Sequence, residues 1–303
     1  MLKLTVVICT HNRSDLLPKC LKSLEEQTTN DFEIIIVDNN STDDTKKISL
    51  KFCEVEPSRR FYYFESKTGL SHARNTGYRN ANGEYVAYID DDAYASSNWC
   101  ELILKNIDEY HFDVCGGKIM PYYEEKRPLL FDDRLEIRNY GKKGFVPKNK
   151  IRFGFPGSNI IIKKEHICNY GEFNPELGMK GKKIGLGEET SLCLKISEHH
   201  DKFYHDPEMI VFHYTPLKYT TLKYRSKRSY AAGASAVIMQ GNSIYQCFKK
   251  TLSLIAFALF LPIAIILINP YFFIRSLQQI SYKIGFIVTA LQTHIVKSKQ
   301  ETL

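Results

Sequence analysis

Three stretches of the chain are apolar and rich in β-branched residues, and each is followed by polar side chains. They cover residues 3–9, 32–37 and 84–89. Between the first two, apolar residues recur at helical spacing, at Leu16, Leu17, Cys20, Leu21 and Leu24. This order predicts a βαβ unit with parallel strands that are buried on both faces. Because the carboxyl ends of parallel strands share one edge of a sheet, we expect a ligand site at that edge.

The polar residues after the third stretch are three adjacent carboxylates, Asp90, Asp91 and Asp92. Adjacent carboxylates repel one another unless a cation or well-placed donors neutralise them. A hard divalent ion that bridges a diphosphate meets this need. A solvated turn, or an N-cap for a helix that starts near residues 96–97, is the alternative.

The common nucleotide-binding motifs are missing from the sequence. No glycine occurs in the first 68 residues, so no G-x-G-x-x-G turn can follow the first strand, and no G-x-x-x-x-G-K-[ST] occurs. These absences argue against NAD, FAD and P-loop binding. A phosphatase with an aspartyl nucleophile would need an acid pair after the first strand, where Thr10 and His11 stand.

Four motifs, taken in order, resemble family 2 glycosyltransferases of the GT-A fold. They are residues 7–13, 36–43, 69–77 and 89–92, and weaker similarity runs to about residue 240. The resemblance implies an α/β GT-A fold, with a mostly parallel, Rossmann-like sheet flanked by helices. It also implies an inverting transferase that uses a nucleotide-activated sugar and a divalent metal ion, Mn²⁺ or Mg²⁺.

The same resemblance implies roles for single residues. Those implied around the nucleotide are Thr10, His11, Asn12, Arg13, Asp38, Arg74 and Asp91. The metal role falls on Asp90 and Asp92, and His213, after a predicted strand, is implied as a third metal ligand or a contact of the diphosphate. Asp38 could instead only form a turn, and His213 could be structural.

The second half of the chain carries the motifs for the acceptor and the general base. The resemblance implies that Gly157, Ser158 and Asn159 lie under the acceptor and the donor sugar. Residues 185–189 resemble the family's Gly-Glu-Asp motif, whose last acid is the base. Glu189 takes that position, where aspartate is commoner, and Glu188 remains a rival. Alternatively, both acids only stabilise the first turn of a helix.

Composition bears on compartment and partners. The formal net charge of +7 suits an anionic sugar nucleotide, a lipid phosphate or a membrane surface. The eight cysteines form no C-x-x-C pair and predict reduced, cytosolic thiols. The first strand begins at residue 3, so we expect no signal peptide. No nucleic-acid-binding motif occurs, and we expect no nucleic-acid partner.

The C-terminal region is apolar, and no charged residue occurs from Thr251 to Ile274. Pro262 and Pro270 interrupt this stretch, so a hairpin in one leaflet competes with a membrane crossing. A buried helical cap is the third possibility. The predicted domains are a catalytic domain at 1–215 (nucleotide-sugar half about 1–118, acceptor half about 119–215), a basic linking helix at 216–245, and a hydrophobic, membrane-associated helical region at 246–303.

These features together predict a metal-dependent inverting glycosyltransferase. The expected donor is UDP-linked, and the expected acceptor is a lipid-linked sugar or glycan in surface polysaccharide biosynthesis. The expected location is the cytoplasmic face of the inner membrane. Two alternatives remain: a nucleotidyltransferase of related α/β architecture, which would need a glycine- and lysine-rich loop after the first strand, and a catalytically inactive, membrane-bound glycan-binding protein, which would lack the acids.

Overall fold

A computed structural model describes residues 2–129, 131–147, 150, 154–181, 183–240, 249–254 and 270–301. Its contacts divide the chain into two compact units. The first consists of Met1–Tyr122, Glu136–Gly181 and Glu188–Tyr214, and the second of Tyr123–Leu135, Lys182–Gly187 and Thr215–Leu303. The domain boundaries drawn from the sequence stay predictions.

The strands described in the first unit form one sheet. They are β1 (Leu4–Thr10), β2 (Phe32–Asp38), β3 (Arg60–Phe64), β4 (Tyr85–Asp90), β5 (Ala93–Ala95), β6 (Val114–Tyr122), β7 (Gly144–Phe145), β8 (Ile160–Lys163) and β9 (Phe203–Tyr214). Their order across the sheet is β3-β2-β1-β4-β8-β6-β9-β5, and β7 pairs with β9. The three strands predicted at residues 3–9, 32–37 and 84–89 correspond to β1, β2 and β4.

The sheet is mixed: four described strand pairs are parallel, among them β6 with β9, and four are antiparallel, so the prediction of a mostly parallel sheet holds only in part. β1 runs parallel to β2 and β4, and β2 runs parallel to β3. β8, by contrast, lies antiparallel to both β4 and β6. Every antiparallel pairing described includes a strand of the second half, β7, β8 or β9.

Helices cover both faces of the sheet in the first unit. They are α1 (Leu17–Glu25), α2 (Thr45–Val55), α3 (Leu70–Asn80), α4 (Trp99–Tyr110), α5 (Lys164–Asn169) and α6 (Glu188–Ser197). Alternate residues of β1 enter two separate cores: Val6 packs in the core that contains Leu17 of α1, and Val7 packs in the core that contains Ala73 of α3. Because both faces are covered, β1 is apolar at consecutive positions.

The second unit contains helices and also segments without regular secondary structure, such as residues 184–187. Its helices are α7 (Leu217–Thr220), α8 (Leu222–Gln240) and α9 (Pro270–Glu301). A Cβ atom at Gly233 of α8 would overlap with the backbone of Tyr282 in α9, so the two helices pack at close range. Arg225 is buried, and its guanidinium donates to the Leu135 carbonyl at 3.2 Å. This arginine of the basic stretch is therefore bound inside the unit.

The predicted membrane-associated segment finds no support in the described residues. None of the helices described is both long enough and apolar enough to span a bilayer. Residues 255–269, which carry most of the uncharged stretch, lie outside the described residues. The predicted location at a membrane stays a prediction.

Candidate active site

The carboxyl ends of β1, β2 and β4 meet at one edge of the sheet. Thr10 at the end of β1 pairs with Asp38 of β2, and Cys9 pairs with Asp90 of β4. This register follows from parallel strands that pair without a slip, as their matched apolar patterns require. The polar motifs after the three strands are therefore brought together, as expected from the sequence.

Hydrogen bonds tie together the loops that follow β1 and β2. The His11 Nδ1 atom lies 2.7 Å from the carbonyl oxygen of Asn39. The N–H of Asn12 donates to Ser41 Oγ at 2.9 Å, and Asn12 Oδ1 accepts the N–H of Thr42 at 2.7 Å. Asn12 has a φ of 53°, a left-handed conformation that asparagine adopts more readily than most residues. Hydrogen bonds within the protein therefore hold the shape of the predicted nucleoside segment.

Asp38 is buried and accepts hydrogen bonds at both carboxylate oxygens. Oδ1 accepts the N–H of Ser41 at 2.9 Å, and Oδ2 accepts the hydroxyl of Tyr62 at 3.0 Å. Burial, together with the Asp38 charge, raises the pKa of Tyr62. The turn-forming role of Asp38 is thus present, while its role toward a base stays a prediction. Sequence reasoning missed Tyr62, because only the β2–β3 pairing brings it to Asp38.

Asp90, Asp92 and His213 form a group that could hold a metal ion. Their ligand atoms all lie within 4.8 Å of one another, and the His213 Nε2 atom lies 3.5 Å from Asp90 Oδ2 and 3.3 Å from Asp92 Oδ1. Burial would lower the pKa of His213, but the two carboxylates outweigh it and raise this pKa to about 9. Carboxylates and an imidazole suit a divalent cation such as Mn²⁺, so the residues fit the predicted ion.

Asp91 is separate from this group and faces Arg13. Its carboxylate is buried, and the Arg13 Nε atom lies 4.0 Å from Asp91 Oδ1. Burial and the Asp92 charge raise the pKa of Asp91 to about 8, against the opposing effect of Arg13. The Arg13 Nη2 atom also lies 3.8 Å from Asp92 Oδ2. The first loop therefore brings a cation to the carboxylate triplet.

Arg74 is a buried cation that links the predicted metal ligands to the predicted base. Its Nη1 atom lies 2.7 Å from Glu188 Oε1 and 3.2 Å from Glu189 Oε1, and its Nη2 atom lies 3.7 Å from Asp90 Oδ1. Burial would lower the pKa of Arg74, but these carboxylates raise it above its usual value. A buried charge is stable only when it is paired, so this arginine and its three acids depend on one another.

The two glutamates at the start of α6 differ in burial. The Glu188 side chain is 4% exposed, and burial, reinforced by the Glu189 charge, raises its pKa to about 8 despite Arg74. The Glu189 side chain is 17% exposed, and its Oε1 atom accepts the N–H of Gly157 at 3.0 Å. Of the two, Glu189 is the one that an incoming substrate can reach.

Gly157, Ser158 and Asn159 form the 3-10 turn before β8, and all three are buried. The Asn159 Oδ1 atom accepts a hydrogen bond from Trp99 Nε1 at 2.9 Å. Its amide nitrogen donates to the carbonyl oxygens of Lys118 and Met209 at 3.0 and 2.9 Å. The Asn159 side chain therefore holds the turn in place, and sugar contacts in this segment stay predictions.

The model of the family described as "Glycosyl transferase family 2" matches residues 5–169, which is more than half of the chain. The chain belongs to glycosyl transferase family 2. This confirms the family to which the four sequence motifs pointed. The matched region of this family 2 chain runs from β1 to the end of α5, so Glu188, Glu189 and His213 lie beyond it.

Individual relatives carry glycosyltransferase names. A GalNAc(5)-diNAcBac-PP-undecaprenol beta-1,3-glucosyltransferase of Campylobacter jejuni is 33% identical over 68% of this chain and 63% of its own length. Glycosyltransferase GlyA of Streptococcus pneumoniae is 35% identical over 43% of this chain and 18% of its own length. A glucosyl-dolichyl phosphate glucuronosyltransferase of Haloferax volcanii is 25% identical over 65% of this chain and 64% of its own length. The matches thus span less than two thirds of each of these relatives.

Solved structures match the fold over most of the chain. The mannosyltransferase PcManGT of Pyrobaculum calidifontis, in complex with GDP-Man and Mn²⁺, aligns with a TM-score of 0.64 and 19% identity over 95% of this chain and 87% of its own. Residues 1–349 of S. aureus TarS, in complex with UDP-GlcNAc, align with a TM-score of 0.57 and 18% identity over 78% of this chain and 67% of the TarS chain. At these identities the likeness concerns the fold, and it confirms an α/β, GT-A-like architecture.

Proposed function

We propose that this chain is an inverting glycosyltransferase that moves a sugar from a nucleotide-sugar donor to a lipid-linked or glycan acceptor in surface polysaccharide biosynthesis. The names of the relatives support the reaction class, and the undecaprenol-linked acceptor in the name of the Campylobacter relative supports a lipid-linked acceptor. A UDP-linked donor is favoured by the TarS complex, although PcManGT binds GDP-Man. A lipid-linked acceptor would lie at the membrane. We therefore propose that the enzyme works on the cytoplasmic face of the inner membrane.

The observation that carries this proposal is the position of Arg74. Its guanidinium contacts Glu188 and Glu189 on one side and Asp90 on the other. A transferase needs a base near the acceptor and positive charge near the leaving diphosphate, at a spacing set by the donor between them. Through these contacts Arg74 fixes the position of the candidate base relative to the candidate metal ligand Asp90.

In the proposed reaction, Glu189 takes the proton of an acceptor hydroxyl. The acceptor oxygen attacks the anomeric carbon from the face opposite the diphosphate, the bond from that carbon to the diphosphate oxygen breaks, and the configuration inverts. Asp90, Asp92 and His213 would hold a divalent ion, Mn²⁺ or Mg²⁺, whose charge stabilises the departing diphosphate. Arg74 keeps the Glu189 carboxylate in place from the side of the donor.

A donor screen with the purified full-length chain tests the proposal. Nucleotide sugars with uridine, guanosine, thymidine or cytidine would be offered with Mn²⁺, with and without lipid-linked acceptors. The expected result is release of the free nucleotide from one donor class, accelerated by an acceptor and strongly reduced in Glu189→Gln. Release of pyrophosphate from a sugar phosphate and a nucleoside triphosphate would instead identify a nucleotidyltransferase. Binding without any turnover would identify an inactive glycan-binding protein.

We expect Asp38→Asn to weaken UDP binding by about tenfold, because an amide no longer offers the base a charged acceptor. Calorimetry with UDP and Mn²⁺ measures this change directly. Asp44→Asn is the matched control, because Asp44 is an exposed carboxylate in the loop that follows the same strand. Equal UDP affinity in the wild type and in Asp38→Asn, with both folded, would leave Asp38 as a turn former only.

We expect Gly157→Ala to lower turnover by about tenfold or more. A Cβ atom at this position would overlap with the Arg74 guanidinium and the Glu189 carboxylate, so both groups must move away from their present positions. Steady-state rates of donor turnover measure the effect, and thermal unfolding shows whether the variant keeps its fold. A folded Gly157→Ala protein with wild-type turnover would contradict the importance of this arrangement.

A further inference from the structure

A second cluster of metal-binding side chains lies away from the candidate active site. Asp113, His166 and His200 place their ligand atoms within 4.8 Å of one another. The Asp113 Oδ1 atom lies 2.8 Å from His166 Nε2 and 3.5 Å from His200 Nδ1. His166 is 3% exposed, and the other two side chains are partly buried. The reaction proposed above uses none of these residues.

The cluster joins three segments that are distant in sequence. Asp113 directly precedes β6, His166 lies in α5, and His200 follows α6. His166 lies three residues after Lys163, the last residue of β8, and Lys163 pairs with Tyr85 at the start of β4. The cluster therefore lies toward the amino end of β4, whereas Asp90 stands at its carboxyl end.

The spacing of the ligand atoms suits a small transition-metal ion. Zinc bonds to imidazole nitrogen and carboxylate oxygen are about 2.0–2.2 Å long, so two ligands at a tetrahedral ion lie about 3.3–3.5 Å apart. The separation of 3.5 Å lies at the upper end of this range, and the separation of 2.8 Å, a hydrogen bond between Asp113 Oδ1 and His166 Nε2, lies about 0.5 Å below it. An ion could therefore bind with only small movements of the three side chains.

The outer atoms of two of these side chains are already held by neighbours. The hydroxyl of Tyr170 lies 2.8 Å from His200 Nε2, which leaves Nδ1 as the nitrogen that faces Asp113. The second carboxylate oxygen of Asp113 accepts the N–H of Lys202 at 3.1 Å. Such outer contacts orient the ligands of protein-bound metals and select the tautomer of ligating histidines.

We propose that Asp113, His166 and His200 form a second metal site, which binds a transition-metal ion of the Zn²⁺ type. Two imidazoles and one carboxylate are a typical zinc donor set, whereas the two carboxylates of the Asp90 group favour Mn²⁺ or Mg²⁺. The ion would tie the end of α6 to α5 and to the start of β6. Because α6 begins at Glu188 and Glu189, the site would stabilise the helix that carries the candidate base.

The test uses the full-length Asp92→Asn protein, in which the other metal group has lost a ligand. After treatment with a chelator, this protein is titrated with Co²⁺ and followed by visible absorption, and Zn²⁺ is then added as a competitor. We expect one tetrahedral Co²⁺ site, displaced by Zn²⁺. Adding His200→Gln should weaken Co²⁺ binding by at least about tenfold, and adding Tyr170→Phe should weaken it less. Zn²⁺ should raise the unfolding temperature of Asp92→Asn but not that of the variant that also carries His200→Gln.

His199→Gln on the same background is the matched control, because His199 is exposed, offers no ligand atom to the cluster and touches its surroundings by stacking its ring on Tyr170. It should keep the Co²⁺ affinity of its parent. Equal affinity in the His200→Gln and His199→Gln proteins would mean that the metal binds elsewhere on the surface, and the proposal would fail. Absence of a Co²⁺ spectrum in folded Asp92→Asn would overturn it as well.

Discussion

Asp92→Asn should abolish metal-dependent transfer, with turnover lower by on the order of a hundredfold or more. The amide keeps the size of the side chain but removes one of the two carboxylate charges beside His213, from which Asp92 Oδ1 is 3.3 Å away. Metal affinity should fall in parallel. Titration with Mn²⁺ in the presence of the donor, together with rates at saturating Mn²⁺, measures both effects.

Chelation and a matched carboxylate variant make this result specific. EDTA should abolish transfer by the wild-type enzyme, and added Mn²⁺ should restore this activity. Asp31→Asn, at an exposed site before β2, should behave as the wild type. Transfer that persists in EDTA with no divalent ion bound would remove the metal assignment, although the family membership would stand.

Glu189→Gln should bind donor and metal normally but lose turnover by about 10²- to 10⁴-fold, the usual contribution of a general base. Glutamine preserves the packing and can still accept the N–H of Gly157, the bond that Glu189 Oε1 makes at 3.0 Å. It cannot take a proton from the acceptor. Single-turnover rates with separate measurements of donor affinity distinguish this loss from a loss of binding.

Glu188→Gln is the matched control for that variant and should keep much more activity. Burial, reinforced by the Glu189 charge, raises the pKa of Glu188, and its Oε1 atom accepts a hydrogen bond from Arg74 at 2.7 Å, a bond that the amide oxygen of glutamine can also accept. Its side chain is also nearly inaccessible to a substrate. The opposite order, with Glu188→Gln inactive and Glu189→Gln near the wild type, would transfer the role of base to Glu188.

Three of the parallel strands, β1, β2 and β4, could be predicted from the sequence because their signal is local. Residues 32–37 are apolar at nearly every position, and the structure has β2 at Phe32–Asp38, buried throughout. A strand covered on both faces needs apolar side chains at consecutive positions, and that pattern is visible without any partner. The gathering of polar motifs at one sheet edge followed from the same strands, because parallel strands end together.

The direction of β8 could not be predicted in the same way. Its short apolar run, residues 160–162, suits either direction, and the choice depends on which strands lie on each side. Family motifs predicted a mostly parallel sheet because they cover the first half of the chain. The antiparallel pairings come from the second half, where no motif reports on strand order.

The sequence by itself determined the apolar strands, the polar motifs that follow them and, through those motifs, the family. Only the tertiary structure decided how Arg74 contacts Glu188, Glu189 and Asp90, which of the two glutamates is buried, and that Asp113 meets His166 and His200. The physical reason is range: a strand or a motif depends on neighbours in the chain, whereas burial, pKa and ligand spacing depend on side chains that the fold brings together from distant positions.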